Sequence, residues 1–479
     1  MNPARWRAHR LRLRLRPMRA GHRPRPCCAD GDPMSIEESR APGELNPAFY
    51  RRQAEACRTA GDELAALANL IAAQMLDAFA AQSSVAQTRN LCDVATGYFM
   101  KGDYEAAAHW YRLVLDIDPD TAVAWLNLAA IHAEQDDEDE AAACRERAYK
   151  TRRVFIEQTG GATRRVLILC SGSGTGNVPF AALLPGTVNC RIKYAIDHAL
   201  DDEDANLPPF DLVFNALGDP DIAEPIAKRL ARFESRTSRP VLNRSAVVAR
   251  TRRHRLPELL HGLNDVVSAH CVLGIAPIAA EAPLALRLAD NGLTFPLLLR
   301  PLASHGGDGL VRCDDLDTLN AHLRVMDGAH YLSAFHDTRD ADGFYRKYRM
   351  IFVDGEPFAY HLAISPHWMV HYFSAEMEAH AWKLDEERRF LDDPRGAIGE
   401  RALRAIAKIG ERLALDYAGI DFTILPGGRV FVFEANATML VHYERDDGPL
   451  MHKNGQVQRI VDAFEQMMTR RSVSHAGPA

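Results

Sequence analysis

No run of apolar residues in this chain approaches the roughly 20 needed to cross a bilayer as a helix. Nor is there a CxxC pair. The nine cysteines are odd in number and scattered, which argues against a disulfide framework or a zinc ribbon and suits a reducing, cytoplasmic compartment. The first 33 residues contain no hydrophobic segment long enough for a secretory signal. Beyond the first 33 residues, acidic side chains outnumber basic ones. The net charge is −7, yet residues 1–33 hold nine Arg and two Asp, a contribution of +7 that leaves −14 for the rest. So acidic a body argues against a nucleic-acid partner.

What is present is a chain of 479 residues, 47% hydrophobic and 25% charged. That composition is ordinary for globular protein, and the length predicts two to four domains. Residues 1–45 admit several readings. The Arg-rich run can be a basic arm, a transit peptide, a disordered tail, or an upstream extension of the frame with Met34 as the natural start; the last two are preferred on composition.

From 46 to 155 the pattern becomes alanine-rich and helical. Leu91, Ala95, Tyr98, Gly102, Tyr104, Ala107, Tyr111 and Pro119 fall at the positions of a tetratricopeptide repeat. A second copy follows, with Trp125, Ala129, Ala141 and Ala148, at the spacing of about 34 residues expected for that repeat. Asp136 stands where the first copy has Gly102, and a weaker pair is expected around Gly61-Asp62 and Ala66. Such an array offers a concave surface to a protein or peptide partner, or serves only as a packing platform.

Beyond it, strand and helix patterns alternate, as for a parallel sheet. Arg165–Cys170 reads as a buried strand, and SGSGTGN after it as the first strand-to-helix turn. Its glycines, with Asp197 downstream, make only an incomplete dinucleotide fingerprint. Residues 246–261 are predicted as a helix carrying Arg250, Arg252, Arg253 and Arg255. A strand ending in Arg300 then enters a loop holding His305, Gly306, Gly307 and Gly309, where glycines let backbone N–H groups approach phosphate oxygens. Tyr331–Phe335 reads as an extended linker. Two hairpins complete the chemistry. One turns at Asp354-Gly355, facing Arg349 with Tyr360 and sharing a strand face with Lys347. The other turns at Gly427-Gly428, so that Pro426 faces Arg429 and Asp421 falls opposite Glu434, with Asn436 on the same face and Phe422, Ile424, Phe431 and Phe433 on the other. Two facing carboxylates beside an amide oxygen form a hard-oxygen set suited to Mg²⁺; the alternative is a hairpin whose polar residues are merely solvated. Histidines 361, 367 and 371 could contact a substrate, but they follow no single face and read by preference as scattered surface residues.

In this order of parts, residues 164–444 resemble the ATP-grasp superfamily, especially the branch of the ribosomal-protein glutamate ligase and D-alanine–D-alanine ligase. The resemblance implies a combined α+β and α/β fold: an all-α tetratricopeptide array, a pre-ATP-grasp α/β domain over 163–275 and an ATP-grasp domain over 276–470. It implies Mg²⁺ on Asp421, Glu434 and Asn436, and ATP held by Arg255, Arg300, His305, Gly306, Gly307 and Gly309. Ala334 and Phe335 would lie at the adenine hinge, with Asp337 the near candidate for ribose, and Arg349 beside the transferred phosphate. Arg255 and Arg300 stand where the family carries lysine, which keeps charge but exchanges a point cation for a planar fork. The implied reaction joins a carboxylate to an amine, on small-molecule or peptide substrates, through an acylphosphate. A small-molecule kinase and a non-catalytic nucleotide-binding scaffold are the alternatives.

Overall fold

The structure, a computed structural model, describes residues 46–80, 85–275, 284–326 and 328–473. The basic segment 1–45 lies outside them. By internal contacts the chain divides into two compact units, Met1–Arg152 and Arg153–Ala479.

The first unit contains six helices among its described residues: α1 (Pro47–Thr59), α2 (Glu63–Ala80), α3 (Val85–Lys101), α4 (Tyr104–Ile117), α5 (Ala122–Glu134) and α6 (Glu138–Thr151). Three short turns pair them, and each uses the same device. Gly61, Gly102 and Asp136 take left-handed φ values of 80°, 82° and 62°, and the next residue is an aspartate that caps the following helix. Asp62, Asp103 and Asp137 accept from the N–H groups of Ala65, Ala106 and Glu140 at 3.0, 3.1 and 3.3 Å. The upstream pair expected at Gly61 is therefore present. Ala66, Ala95, Ala107, Ala129 and Ala141 are buried, which lets neighbouring helices approach while Leu91, Trp110 and Tyr111 fill the gaps.

Among its described residues the second unit carries three sheets. The first has the order β1-β3-β2-β4-β5, with β1 (Val154–Glu157), β2 (Arg164–Cys170), β3 (Asn189–Ala195), β4 (Leu212–Asn215) and β5 (Val241–Leu242). It is parallel except for β1 at its edge. β2 is apolar from Val166 to Leu169 because both faces are covered there. Val166 and Ile168 join one cluster with the C-terminal helix, while Leu167 and Leu169 join another. The helix predicted after β2 does not form. Residues 171–188 run irregularly, and the carboxylate of Asp197 accepts from Gly172 N–H and Ser171 Oγ, each at 2.9 Å. The protein's own acid thus takes the amide that a phosphate would need.

The second sheet, β7-β10-β8-β9, is antiparallel: β7 (Cys271–Ile275), β8 (Leu297–Pro301), β9 (Val311–Cys313) and β10 (Ala329–Ala334). Residues predicted as a linker at Tyr331 are here an internal strand, paired on both sides and buried at Tyr331 and Leu332. The third sheet has the order β12-β11-β13-β14-β6, with β6 (Val266–Ser268), β11 (Tyr345–Val353), β12 (Glu356–Ser365), β13 (Tyr417–Leu425) and β14 (Arg429–Asn436). Its core face meets α7 (Glu400–Leu413) through Ala402, Ile406 and Ile409. Gly410 is required there, because a Cβ would lie 2.4 Å from the carbonyl oxygen of Gly355. α8 (Asn454–Val473) ties the first and third sheets together through Val457, Ile460 and Phe464. The helix predicted over 246–261 is instead a series of short turns, broken where Arg252 becomes extended at ψ 135° and where Pro257 enters.

Both hairpins of the third sheet carry a bulge. The Asp354-Gly355 turn has two residues, as predicted, with φ values of 51° and 82°. The ladder then slips between Arg349 and Met350, so Arg349 faces His361 rather than Tyr360. In the acidic hairpin Leu425 pairs with Arg429, which makes the turn three residues, Pro426 to Gly428. A second slip between Asp421 and Phe422 restores Asp421 opposite Glu434. The predicted far face is corrected accordingly: Ile420, Phe422, Val430 and Val432 enter the core, Phe431 pairs with Thr423 on the site face, and Phe433 is the bulged, exposed residue.

Candidate active site

Asp421 is 2% exposed at the middle of the third sheet. β11 delivers two cations to it. Arg349 donates in bidentate fashion, Nε to Oδ1 at 2.6 Å and Nη2 to Oδ2 at 2.9 Å, and Lys347 Nζ lies 3.2 Å from Oδ2. Burial alone would raise the carboxyl's pKa, but Arg349 and Lys347 outweigh it and hold it well below the ordinary range. Glu434 meets Arg253 Nη2 at 2.5 Å, and there too burial is outweighed, chiefly by Arg253, so its pKa is lowered. The acids are thus opposed and ionised. Asn436 lies two residues beyond Glu434, opposite Gly419, and its Oδ1 accepts from Thr438 N–H at 2.9 Å and Oγ1 at 3.0 Å. Two ionised carboxylates and an amide oxygen on one strand face fit a hard divalent cation.

The glycine-rich loop between β8 and β9 stands against the same charges. Arg300 donates from Nε to Ser304 Oγ at 2.9 Å and from Nη2 to the Ser304 carbonyl. Burial, reinforced by neighbouring Arg253, lowers its pKa to about 10. A half-buried guanidinium beside another cation is well placed to receive an anion. His305 Nε2 lies 2.7 Å from Asp219 Oδ2. Gly306, Gly307 and Gly309 take φ values of 64°, 82° and 63°; at Gly309 a Cβ would also meet the Pro301 ring at 2.8 Å.

Of the remaining sequence candidates, Ala334 and Phe335 end β10 and begin the segment leading to the third sheet. Their N–H groups donate to His270 and Pro296 carbonyls, each at 3.0 Å. The Phe335 ring packs beneath the Arg312 guanidinium at 4.3 Å and edge-on to Trp368 at 5.7 Å, leaving a flat aromatic and cationic corner. Asp337 accepts from Arg339. Arg255 is exposed; within the same turn it is Arg253 that reaches Glu434.

A cleft, partly open to solvent, continues from Arg349 and Lys347. His361 and His371 line it, contrary to their reading as surface residues; His361 is buried and stacks on Tyr372 at 4.8 Å. Burial, then the charges of Arg349 and Lys453, push the His361 pKa well below its ordinary value. Lys453 pairs with Glu444 at 3.1 Å and lies 4.3 Å over the Tyr372 ring. Glu387, fully buried, accepts from Tyr372 Oη at 3.0 Å and lies 2.9 Å from His452 Nε2. Sequence reasoning missed this cleft, since Glu444 and Lys453 reach it only through the tertiary fold. The signal for His361 was a bulge, which alternation does not show.

A family model for the tetratricopeptide repeat matches residues 97–136. No curated protein matches the chain. Among solved structures it is similar to D-alanine–D-alanine ligase from Bacillus anthracis complexed with ATP, at 12% identity and a TM-score of 0.40, over 66% of this chain and 100% of that one. It is also similar to a RimK domain ATP-grasp protein from Sphaerobacter thermophilus, at 16% identity and a TM-score of 0.38, over 63% and 99%. The ATP-grasp ligase PsnB, complexed with a precursor peptide and AMPPNP, is similar at 12% identity and a TM-score of 0.37, over 66% and 99%. Likeness at this distance does not assign chemistry, which must come from the site's own residues.

Proposed function

We propose that the second unit is an ATP- and Mg²⁺-dependent carboxylate–amine ligase of the ATP-grasp type, and that the tetratricopeptide unit recruits a protein or peptide partner. The observation that carries this reading is the position of Arg349. One guanidinium is bonded to the buried carboxylate of the acid pair and also lines the neighbouring cleft. A phosphoryl group held near the first would therefore adjoin a substrate in the second.

Asp421, Glu434 and Asn436 are the residues that would hold Mg²⁺, which when bound neutralises phosphate oxygens. Arg253, Arg300 and the amides of the 302–310 loop bind the nucleotide's phosphates, and the Phe335–Arg312 corner offers a planar surface for its base. Arg349 and Lys347 orient the carboxylate and stabilise charge on the transferring phosphoryl group. Phosphoryl transfer depends on positioning and charge neutralisation more than on a protein nucleophile. The carboxylate oxygen attacks the γ-phosphorus and ADP leaves. The amine then attacks the acyl carbon, phosphate departs, and the amine's proton passes to solvent or a neighbouring base.

Incubation with ATP, Mg²⁺, hydroxylamine and a panel of carboxylic acids is expected to yield ADP and an acyl hydroxamate in equal amounts for the accepted acid. A phosphorylated product stable to hydroxylamine would mark a kinase. Nucleotide binding without ADP release across the panel would mark a scaffold.

A further inference from the structure

The cleft beside Arg349 has a chemistry that narrows the substrate, on the footing that the second unit is the ligase proposed for it. We propose that the cleft takes a carboxylic acid with a planar aromatic body bearing a hydroxyl-like hydrogen-bonding group. Three observations point there. The cleft is cationic at the end shared with the acid pair, where Lys347 and Arg349 lie; its one lining carboxylate outside that pair, Glu444, is engaged by Lys453 at 3.1 Å and His442 at 3.3 Å. A carboxylate is favoured there and an ammonium is not.

The walls are flat. Tyr372 is fixed through its hydroxyl by Glu387, His361 stacks on its ring with an interplanar angle of 27°, and Phe373, 44% exposed, stands edge-on at the rim. Tyr372 is already covered by His361 and Lys453, so the exposed Phe373 is the ring a guest would meet; such a pair gains more than the area it buries, so a planar guest is preferred to an aliphatic one. Between floor and wall, Nε2 of His361 is buried without a hydrogen-bond partner, in a side chain 5% exposed. Buried polar atoms without partners are uncommon, and this one belongs to a side chain that lines the cleft. A neutral imidazole nitrogen donates or accepts according to tautomer, and a hydroxyl satisfies either.

The test is calorimetric titration of the full chain with ADP and Mg²⁺ present, using 4-hydroxyphenylacetate, phenylacetate, acetate and tyramine as probes. The hydroxy acid is expected to bind about tenfold more tightly than phenylacetate, the increment of one good hydrogen bond. Acetate should bind more weakly still, and tyramine, matched in ring and hydroxyl but opposite in charge, not detectably. His361→Phe should erase the preference for the hydroxy acid. Phe373→Ala, at an exposed rim position, should weaken the ring-bearing acids severalfold and leave acetate unchanged; near-UV circular dichroism of both variants reports whether the fold is intact. If ADP with Mg²⁺ binds but no acid does, or acetate binds as tightly as the aromatic acids, or tyramine is preferred, the substrate class is overturned while the ligase reading stands. Failure of ADP with Mg²⁺ to bind at all overturns both.

Discussion

Asp421 accepts from two side chains of the neighbouring strand, and its ionisation couples the site to stability. Its pKa is lowered in the folded state, so the unfolded chain takes up a proton first, near pH 4, as acid is added. The stabilisation is therefore complete above that value and lost as pH falls through the folded one. Asp421→Asn should leave the half-buried Arg349 and Lys347 without their paired carboxylate, cost about 3 kcal/mol at neutral pH, and flatten the loss of stability below pH 5 in urea titrations run at a series of pH values. A second prediction separates neighbours. Arg253→Met should weaken nucleotide binding on the order of tenfold by removing a charge-assisted contact, whereas Arg255→Met should leave it within about twofold, as for an exposed charge. Fluorescent-nucleotide displacement distinguishes the two.

At the scale of elements, the helical turns offer a direct comparison. Asp136 occupies a left-handed position that two other turns give to glycine, a conformation costing a side chain about 1–2 kcal/mol. Part of that gain is offset by glycine's greater freedom in the unfolded chain. Asp136→Gly should then stabilise the helical unit by about 0.5–1 kcal/mol and raise its melting temperature by several degrees, while Gly102→Ala should lower it. The hairpins show how far sequence reaches. The opposition of Asp421 and Glu434 was legible, but by way of two departures that cancel: the turn is one residue longer than its glycines suggested, and the bulge at Phe433 removes the difference. The partner of Arg349 was misassigned because the bulge at Tyr360 has no compensating turn. Alternation specifies faces, and bulges are set by how sheets twist to pack. The strand at Tyr331 was hidden for a related reason: its pairing on both edges comes from distant segments, not from its own composition.

For the molecule as a whole, each unit has its own buried cluster, and only the second carries the site. ADP with Mg²⁺ at about a hundredfold excess over its dissociation constant should stabilise that unit by about 2.7 kcal/mol. Scanning calorimetry should show one transition that moves with nucleotide and one, from the helical unit, that does not. The tetratricopeptide pattern was legible because its unit is local, each helix resting on its neighbours in sequence. The cleft was not, since β11, β12 and the chain beyond Ala437 must be assembled before it exists. The arginines seated on Asp421 and Glu434 have one further consequence. If these residues hold metal and nucleotide as proposed, a cation entering alone would have to displace them and leave them unmatched, and a nucleotide arriving alone would find them engaged, whereas together each ligand would release what the other needs. Metal and nucleotide are then linked, each raising the other's affinity by the same factor, so free Mg²⁺ should fill the site poorly at concentrations where it binds readily alongside ATP.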